Sequence, residues 1–156
     1  MNPTFYITLL TSLYGAERAA QTEKRLKNLI DHYHKRIRKP AESTLSEQDS
    51  ILITYGDQVR SAELPHLRSL AKFCDKYLRG NINCIHILPF FPWSSDDGFS
   101  IKDYRMVDPA LGNWNDIDML GRSFRLMFDM VINHASVQGN WFKAFLRGES
   151  LIATIF

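Results

Sequence analysis

The feature that most constrains the fold is a strand–helix–strand pattern in the middle of the chain. Ile51–Tyr55 is β-branched and aromatic and is followed by a Gly-Asp pair, which predicts a short strand. The next segment predicts a helix that begins near Pro65 and stops at Gly80, because its apolar residues recur every three or four positions. Ile82–Leu88 predicts a second strand. Short links between these elements indicate a βαβ unit and therefore a parallel sheet.

A third strand is predicted at Leu126–Ile132, which is apolar on both faces except at Asp129. This pattern is typical of a strand buried on both sides of a parallel sheet. A carboxylate within such a strand is costly unless it is paired, so we expect Asp129 to be a hydrogen-bonded structural group. Asn133 and His134 follow at the carboxyl end, where parallel α/β folds place their ligands. From this stretch alone, a polar strand end without a ligand is an equally good interpretation.

Helical periodicity is present on both sides of these strands. One helix is predicted from about Ala16 to Lys39, ended by Pro40. Another is predicted from a cap at Asn115 to about Phe124. His86, in the second strand, is expected in the core. The order of elements fits either the start of a (β/α)8 barrel or part of a doubly wound sheet. No Gly-x-Gly-x-x-Gly follows the first strand, which disfavours a dinucleotide-binding fold.

Composition indicates an ordinary globular protein, since 45% of its 156 residues are hydrophobic and 23% are charged. The net charge is +2, and the basic cluster at residues 32–39 fits a solvated helix end better than a nucleic-acid site. Cys74 and Cys84 lack metal-ligand spacing and fit buried apolar positions in a reducing compartment. No segment predicts a signal peptide or a membrane span. We therefore expect a cytoplasmic protein with neither nucleic acid nor membrane as partner.

The sequence SSDDGF, residues 94–99, lies in a long loop after the second strand. Long loops at this edge of a parallel sheet are usually functional or disordered. The carboxylates of Asp96 and Asp97 beside Phe99 fit a sugar site, since carboxylates accept hydroxyl hydrogen bonds and an aromatic ring packs on the apolar sugar face. A divalent cation site or a solvated Asp-Gly turn fits the same residues. His134 is similarly compatible with a hydroxyl donor, a metal ligand or a structural role.

Three segments resemble the α-amylase superfamily: IHILPFFPWSSDDGFSIKDY at residues 85–104, VDPALGNWNDI at residues 107–117 and DMVINH at residues 129–134. DMVINH alone marks only the superfamily. LPFFPWSSDDGFS makes the resemblance specific to the sucrose phosphorylase group, with its glucosylglycerate and sucrose-6-phosphate phosphorylase relatives. LITYGDQ in the first strand and SLYGAERA near the start also resemble that group. The resemblance implies the amino-terminal part of a (β/α)8 TIM barrel, with about three parallel strands preceded by an extra helix.

Carried over by position, the resemblance implies that Asp96 binds glucosyl hydroxyls, that Phe99 forms an apolar wall beside the sugar ring and that His134 hydrogen-bonds the same ring. Asp129 and Asn133 would organise the strand end. No cofactor is implied. No metal site is implied either, because the phosphorylase group lacks the site to which the matching Asn contributes in calcium-dependent amylases. The expected partners are a glucoside and inorganic phosphate.

The resemblance places the catalytic carboxylates on the fourth and fifth barrel strands and after the seventh, so no catalytic residue is assigned here. We expect a helical extension at residues 1–49, barrel strands one to three at residues 50–148 and an atypical truncated tail at residues 149–156. The expected function is that of a fragment, inactive alone, of a retaining enzyme that transfers α-glucosyl from a sucrose-like glucoside to phosphate. The alternatives are an α-glucosidase or transglucosylase of the same superfamily and a non-catalytic sugar-binding or interaction protein.

Overall fold

The computed structural model describes residues 3–36 and 45–149, which divide into two compact units between Thr44 and Leu45. The first unit is a pair of packed helices, α1 (Pro3–Tyr14) and α2 (Ala16–His34). They are separated by Gly15, whose φ of 77° suits glycine. The structure thus adds a helix, α1, that the sequence patterns did not predict. It also ends α2 five residues before the predicted end at Lys39. Residues 37–44, including Pro40, lie outside the described residues.

The apolar face of α2 is only partly covered. Ala19, near the start of the helix, is fully buried. Further along, the side chains of Leu29, Ile30 and Tyr33 remain about half exposed. α2 has 19 residues against 12 in α1, so α1 is too short to cover its whole length. Among the helices of the described ranges, none is long and apolar enough to cross a bilayer.

The second unit is built on a parallel three-stranded sheet in the order β1-β2-β3. Its strands are β1 (Ile51–Thr54), β2 (Cys84–Ile87) and β3 (Arg125–Phe128). Its helices are α3 (His66–Tyr77), α4 (Trp114–Gly121) and α5 (Asn140–Leu146). α3 connects β1 to β2 and α4 connects β2 to β3. The predicted class, α/β with three parallel strands, is therefore confirmed.

The core lies between the sheet and the helices α3 and α4. Leu67, Leu70 and Cys74 of α3 are buried against Ile85 and Ile87 of β2. Each fully buried aliphatic side chain contributes about 1.5–3 kcal/mol. Successive side chains along a strand point to opposite faces of the sheet, and the face away from these helices is far more exposed.

That open face carries Ile53 and Met127, which lie on either side of His86 in the strand register. Their exposed fractions are 62% and 42%. Among the described helices of the second unit, none covers this side, so α3 and α4 form a single layer against the sheet.

β3 is shorter and more exposed than predicted. It ends at Phe128, so the apolar residues that follow Asp129 lie outside the strand. Met130 and Ile132 are 78% and 77% exposed, and only Val131 of that stretch is buried. The prediction of a strand buried on both faces from residues 126 to 132 is therefore wrong. β3 is an edge strand here, and its outer side has no neighbour among the described residues.

α4 begins two residues earlier than predicted because Asn113, not Asn115, is its cap. The Asn113 side chain accepts a hydrogen bond from the Asn115 N–H at 2.9 Å, and the Asp116 carboxylate accepts one from the Asn113 N–H at 3.1 Å. Asp116 is fully buried and also accepts from Arg68 Nε at 2.7 Å. Gly112, at φ 146°, passes so close that a Cβ there would lie 2.6 Å from Asp116 Oδ2.

Candidate functional site

Two segments that leave the carboxyl ends of β2 and β3 are tied together by three hydrogen bonds. The Ser136 N–H donates to the Ile101 carbonyl at 3.0 Å. The hydroxyls of Ser94 and Ser136 lie 2.6 Å apart, and Ser136 is 1% exposed. The Tyr104 hydroxyl donates to the His134 carbonyl at 3.2 Å. The structure therefore brings the loop that carries Asp96 and Phe99 against the segment that carries His134.

The turn that carries Asp96 is closed by its own backbone. The Ser94 N–H donates to the Ser100 carbonyl at 3.0 Å, and the Lys102 N–H donates to the Pro92 carbonyl at 2.7 Å. Asp96 and Asp97 both lie at positive φ, 61° and 46°. This conformation is uncommon for residues other than glycine, and Asp and Asn tolerate it best. The presence of aspartate at positions 96 and 97 therefore also suits the backbone conformation of this turn, independently of any sugar.

Gly98 completes the same turn at φ 102°. A Cβ at this position would lie 2.8 Å from the Pro89 carbonyl oxygen, which is closer than a real Cβ approaches. The turn therefore requires glycine for two reasons, its backbone conformation and its close contact with the end of β2.

The predicted sugar-contacting residues lie at this edge of the sheet with their polar groups available. Asp96 and His134 are exposed and Phe99 is partly buried. Within residues 3–36 and 45–149, no hydrogen bond joins the side chains of Asp96 and His134 to protein groups. Asn133 is also exposed, and its side chain has no partner in the same ranges.

Asp129 lies beyond the end of β3 and pairs with His86 of β2. Its Oδ2 atom is 3.0 Å from His86 Nε2, and the two side chains are 25% and 17% exposed. His86 is therefore only partly buried, not the core residue that was expected. The sequence reasoning missed this pair. The strand register could have revealed this pair. His86 aligns with Met127, and Asp129, two residues later, points to the same side of the chain as Met127.

An aromatic cluster supports the loop from beneath. Phe90 is 1% exposed and packs against Phe91, Trp114 and Phe128 at centroid distances of 4.6, 5.7 and 5.2 Å. Packing of this kind fixes the path of the chain as it leaves β2.

Tyr104 belongs to a second aromatic contact, its ring stacking on Trp141 of α5 at 5.7 Å. Burial raises the pKa of the Tyr104 phenol, so the hydroxyl remains a hydrogen-bond donor to the His134 carbonyl at neutral pH. The role of Tyr104 was not predicted, because it depends on a contact between residues far apart in the sequence.

A cavity of about 820 Å³ lies at the opposite, amino-terminal edge of the sheet, lined by residues that include Gln48, Asn83 and Arg125. Asp49 forms an ion pair there with Arg125 and accepts a hydrogen bond from Asn83 Nδ2 at 2.9 Å. The Ser46 N–H and then Arg125 hold the pKa of Asp49 below its usual value. This edge of a barrel sheet usually serves stability, so we do not assign it to the sugar site.

The fold and the carboxyl-edge loops match known proteins. Residues 76–151 match the family described as alpha amylase, catalytic domain. This match confirms the relationship to the α-amylase superfamily that the sequence motifs indicated. The three strands correspond to an amino-terminal portion of the barrel in structural neighbours from the sucrose phosphorylase group.

Within that superfamily, the chain is similar to phosphorylases. It is 45% identical over 148 residues to the glucosylglycerate phosphorylase of Spirochaeta thermophila, covering 90% of this chain and 25% of that protein. It is 39% identical over 94 residues to the sucrose phosphorylase of Streptococcus mutans, covering 60% of this chain and 19% of that protein. The crystal structure of sucrose 6F-phosphate phosphorylase from Thermoanaerobacter thermosaccharolyticum gives a TM-score of 0.59 at 33% identity, covering 67% of this chain and 20% of that one. The chain thus spans about a quarter or less of the length of these relatives.

Proposed function

We propose that this chain provides the glucose-binding, amino-terminal part of a retaining α-glucoside phosphorylase whose donor is of the glucosylglycerate type. The choice of this donor rests on how much of the chain each relative matches. A match over 90% of the chain must extend into the helical unit before Leu45, whereas one over 60% can lie entirely in the second unit. The helical unit is therefore a feature shared with the glucosylglycerate phosphorylases.

In the proposed site, each residue contributes one kind of contact to the glucosyl group. Asp96 accepts hydrogen bonds from sugar hydroxyls, His134 donates to or accepts from another hydroxyl, and Phe99 packs on the apolar face of the ring. Asp129, held by His86, and Asn133 maintain the path of the segment after β3. The support for this arrangement is that three hydrogen bonds link the Asp96 loop to the His134 segment.

The proposed full reaction passes the glucosyl group to a carboxylate nucleophile and then to inorganic phosphate, with a second carboxylate as acid and base. By the family resemblance, those carboxylates lie on later barrel strands. We therefore expect the 156-residue chain alone to release no product, since positioning groups cannot replace the nucleophile and its acid/base partner. The proposed partners are a glucoside and phosphate, and no cofactor is involved.

The proposed domain arrangement is a helical extension at residues 1–49 before a barrel portion at residues 50–148, with a separate tail at residues 149–156. Of that tail, residues 150–156 lie outside the described part of the chain. The proposed location is the cytoplasm, because Cys74 and Cys84 are free, buried thiols of the kind that a reducing compartment preserves.

A chimera tests the proposed function. Residues 1–149 would replace the corresponding first quarter of the Escherichia coli glucosylglycerate phosphorylase, to which this chain is 38% identical. We expect the chimera to form glucose 1-phosphate from glucosylglycerate and phosphate, and to prefer that donor to sucrose. Asp96→Ala should abolish activity, and the matched control Asp118→Ala, at an exposed position on α4, should retain it.

Three results would count against the proposal. A folded chimera that prefers sucrose would contradict the donor assignment. One that releases free glucose without phosphate would favour a hydrolase. A folded chimera with no activity that still binds glucose would favour a non-catalytic sugar-binding role.

A further inference from the structure

A second cavity lies at the carboxyl edge of the sheet, between the loops that follow β1 and β2. Its volume is about 450 Å³, within the range of small-molecule sites. It is lined by two aromatic rings, three carboxylates and one imidazole, those of Tyr55, Trp93, Asp57, Asp97, Asp108 and His66. Asp96, Phe99 and His134 do not line it, so it is separate from the proposed glucosyl contacts.

The walls of this cavity are held by backbone hydrogen bonds between four chain segments. The Leu88 N–H donates to the Thr54 carbonyl at 3.0 Å, which joins the ends of β1 and β2. The Asp108 N–H donates to the Phe90 carbonyl at 2.8 Å. The start of α3 is fixed by the Leu67 N–H, which donates to the Leu111 carbonyl at 3.0 Å. The cavity is therefore formed before any ligand arrives, which lowers the cost of binding.

The cavity combines open aromatic rings with unused hydrogen-bonding groups. Trp93 and Tyr55 are 40% and 37% exposed. Asp97 is exposed, and its carboxylate has no partner within the described ranges. His66 Nδ1 is buried without a hydrogen-bond partner in the same ranges, so no protein contact fixes the tautomer of the ring. An aromatic ring beside free acceptors is the chemistry that recognises a sugar, through its apolar face and its hydroxyls.

The charge of the lining restricts the ligand further. Three aspartates line the cavity, and no lysine or arginine is among the lining residues. Phosphate and glycerate would meet repulsion at short range, where like charges cost most. Among the described residues, no group of three or more metal-ligating side chains is placed to hold a metal ion. Between an anion and a neutral, hydroxyl-rich molecule, the lining therefore favours the neutral one.

We propose that this cavity is a second carbohydrate-binding site, which accepts a neutral sugar unit such as glucose and rejects anions. Trp93 and Tyr55 contact the apolar face of the sugar, and Asp97 accepts hydrogen bonds from its hydroxyls. Asp57 and Asp108 have less free capacity, because Arg60 binds Asp57 at 2.6 Å and the Ala110 N–H donates to Asp108 at 2.9 Å. Asp97 is therefore the main polar contact. The site goes beyond the proposed glucosyl transfer, since it uses none of the residues assigned to that reaction.

Fluorine NMR of the chain labelled with 5-fluorotryptophan tests this proposal. The chain has three tryptophans, and the Trp93→Phe variant identifies the signal of Trp93. We expect glucose and methyl α-glucoside to shift that signal saturably, while glycerate and inorganic phosphate leave it unchanged. Absence of a response to both sugars in a folded chain would overturn the proposal, and so would equal binding of the anions.

Two neighbouring carboxylates provide matched variants. Asp97→Asn removes a charge-assisted hydrogen bond and should weaken the sugar response of Trp93 at least about tenfold. Asp96→Asn should leave that response unchanged, because Asp96 does not line the cavity. Asn tolerates positive φ, so both variants keep the turn. Equal effects of the two variants would show that the cavity is not a separate site. If the chain self-associates, the Trp93 signal is measured in the chimera instead. There, loss of the Trp93 response to sugar and loss of glucose 1-phosphate formation are separate readouts.

Discussion

Ser94 and Ser136 form one of the three hydrogen bonds that join the two loops of the candidate site, with their hydroxyl oxygens 2.6 Å apart. The Ser94 hydroxyl also lies 3.2 Å from Ser100 Oγ, to which it donates. Ser136 Oγ also accepts from the Gln138 N–H at 3.0 Å. One buried hydroxyl thus connects the Asp96 turn with the segment after β3.

Ser136→Ala should weaken this junction. The change leaves buried polar groups with one partner fewer, and we expect a loss of about 1–2 kcal/mol in the free energy of unfolding. Urea unfolding measures it. Ser95→Ala is the matched control, because Ser95 is exposed in the same loop and should cost little. Equal losses in both variants would show that the Ser94–Ser136 contact is not the cause.

Gly112→Ala should destabilise the chain by more than about 2 kcal/mol. The added methyl group would lie 2.6 Å from the buried carboxylate of Asp116, which caps α4 and pairs with Arg68. Gly80→Ala is the control for backbone conformation alone, since Gly80 also has positive φ but nothing lies within 4 Å of the position that its methyl group would take. It should cost about 1 kcal/mol. Thermal unfolding measures the loss in stability of each variant. An equal loss in Gly80→Ala and Gly112→Ala would contradict the expectation.

The sequence predicts most of this sheet because its signals are local. The apolar spacing correctly predicts the helix α3, Cys74 is buried as expected, and the βαβ pattern correctly predicts parallel strands. The cap of α4 was misplaced because the segment contains two asparagines. Both asparagines have an aspartate three residues later, Asp116 or Asp118, so the spacing does not choose between them; in the structure, Asp116 accepts from the Asn113 N–H and completes the capping box.

The remaining errors concern properties that depend on distant parts of the chain. The apolar residues on both sides of Asp129 predict burial, but burial requires neighbours, and β3 is at an edge here. The Ser94–Ser136 and His86–Asp129 contacts join segments about forty residues apart. No local pattern reports such contacts. The proposed assignment of Asp96, Phe99 and His134 to sugar contacts rests on the motif resemblance and not on spacing or periodicity.

Acid should destabilise the second unit through Asp49. Hydrogen bonds and Arg125 lower its pKa below the usual 3.8 in the folded state. A lowered folded pKa favours folding above the unfolded pKa, and this contribution is lost as the pH falls through the folded value. We expect the free energy of unfolding to fall as the pH is lowered through the usual value of 3.8 toward the lower folded value. Asp49→Asn should reduce that slope, whereas Asp118→Asn, on the surface of α4, should retain more of it. A slope unchanged in Asp49→Asn would contradict the assignment.

The thiol of Cys74 should be unreactive in the folded chain. Burial raises its pKa to about 11, and its side chain has no solvent exposure. The thiolate is the reactive form, so at about pH 8 a disulfide reagent should react only as the chain unfolds. Cys84→Ser isolates the signal of Cys74. Rapid labelling of this variant in native buffer, at the rate seen in denaturant, would be incompatible with a buried thiol.

The chain alone should self-associate through its open sheet face and the segment after β3. Ile53, Met130 and Ile132 together expose apolar surface beside an unpaired edge strand. Sedimentation velocity should show oligomers at high concentration. Ile53→Thr keeps the strand propensity and should shift the distribution toward monomer. Leu45→Thr, at an apolar position that is 78% exposed and lies outside the three strands, is the control and should shift it less.

The self-closed turn around Asp96 has a consequence for protein engineering. Its shape is set by hydrogen bonds between its own ends, such as the one from the Lys102 N–H to the Pro92 carbonyl, and by the close contact of Gly98 with the Pro89 carbonyl. A loop of this kind can be grafted as a cassette into another parallel barrel without redesign of β2 or α4. The graft needs Pro89 and Gly98 within it, and a receiving segment with a serine placed as Ser136 is. The proposed sugar contacts of Asp96 and Phe99 are therefore carried on one contiguous piece of sequence.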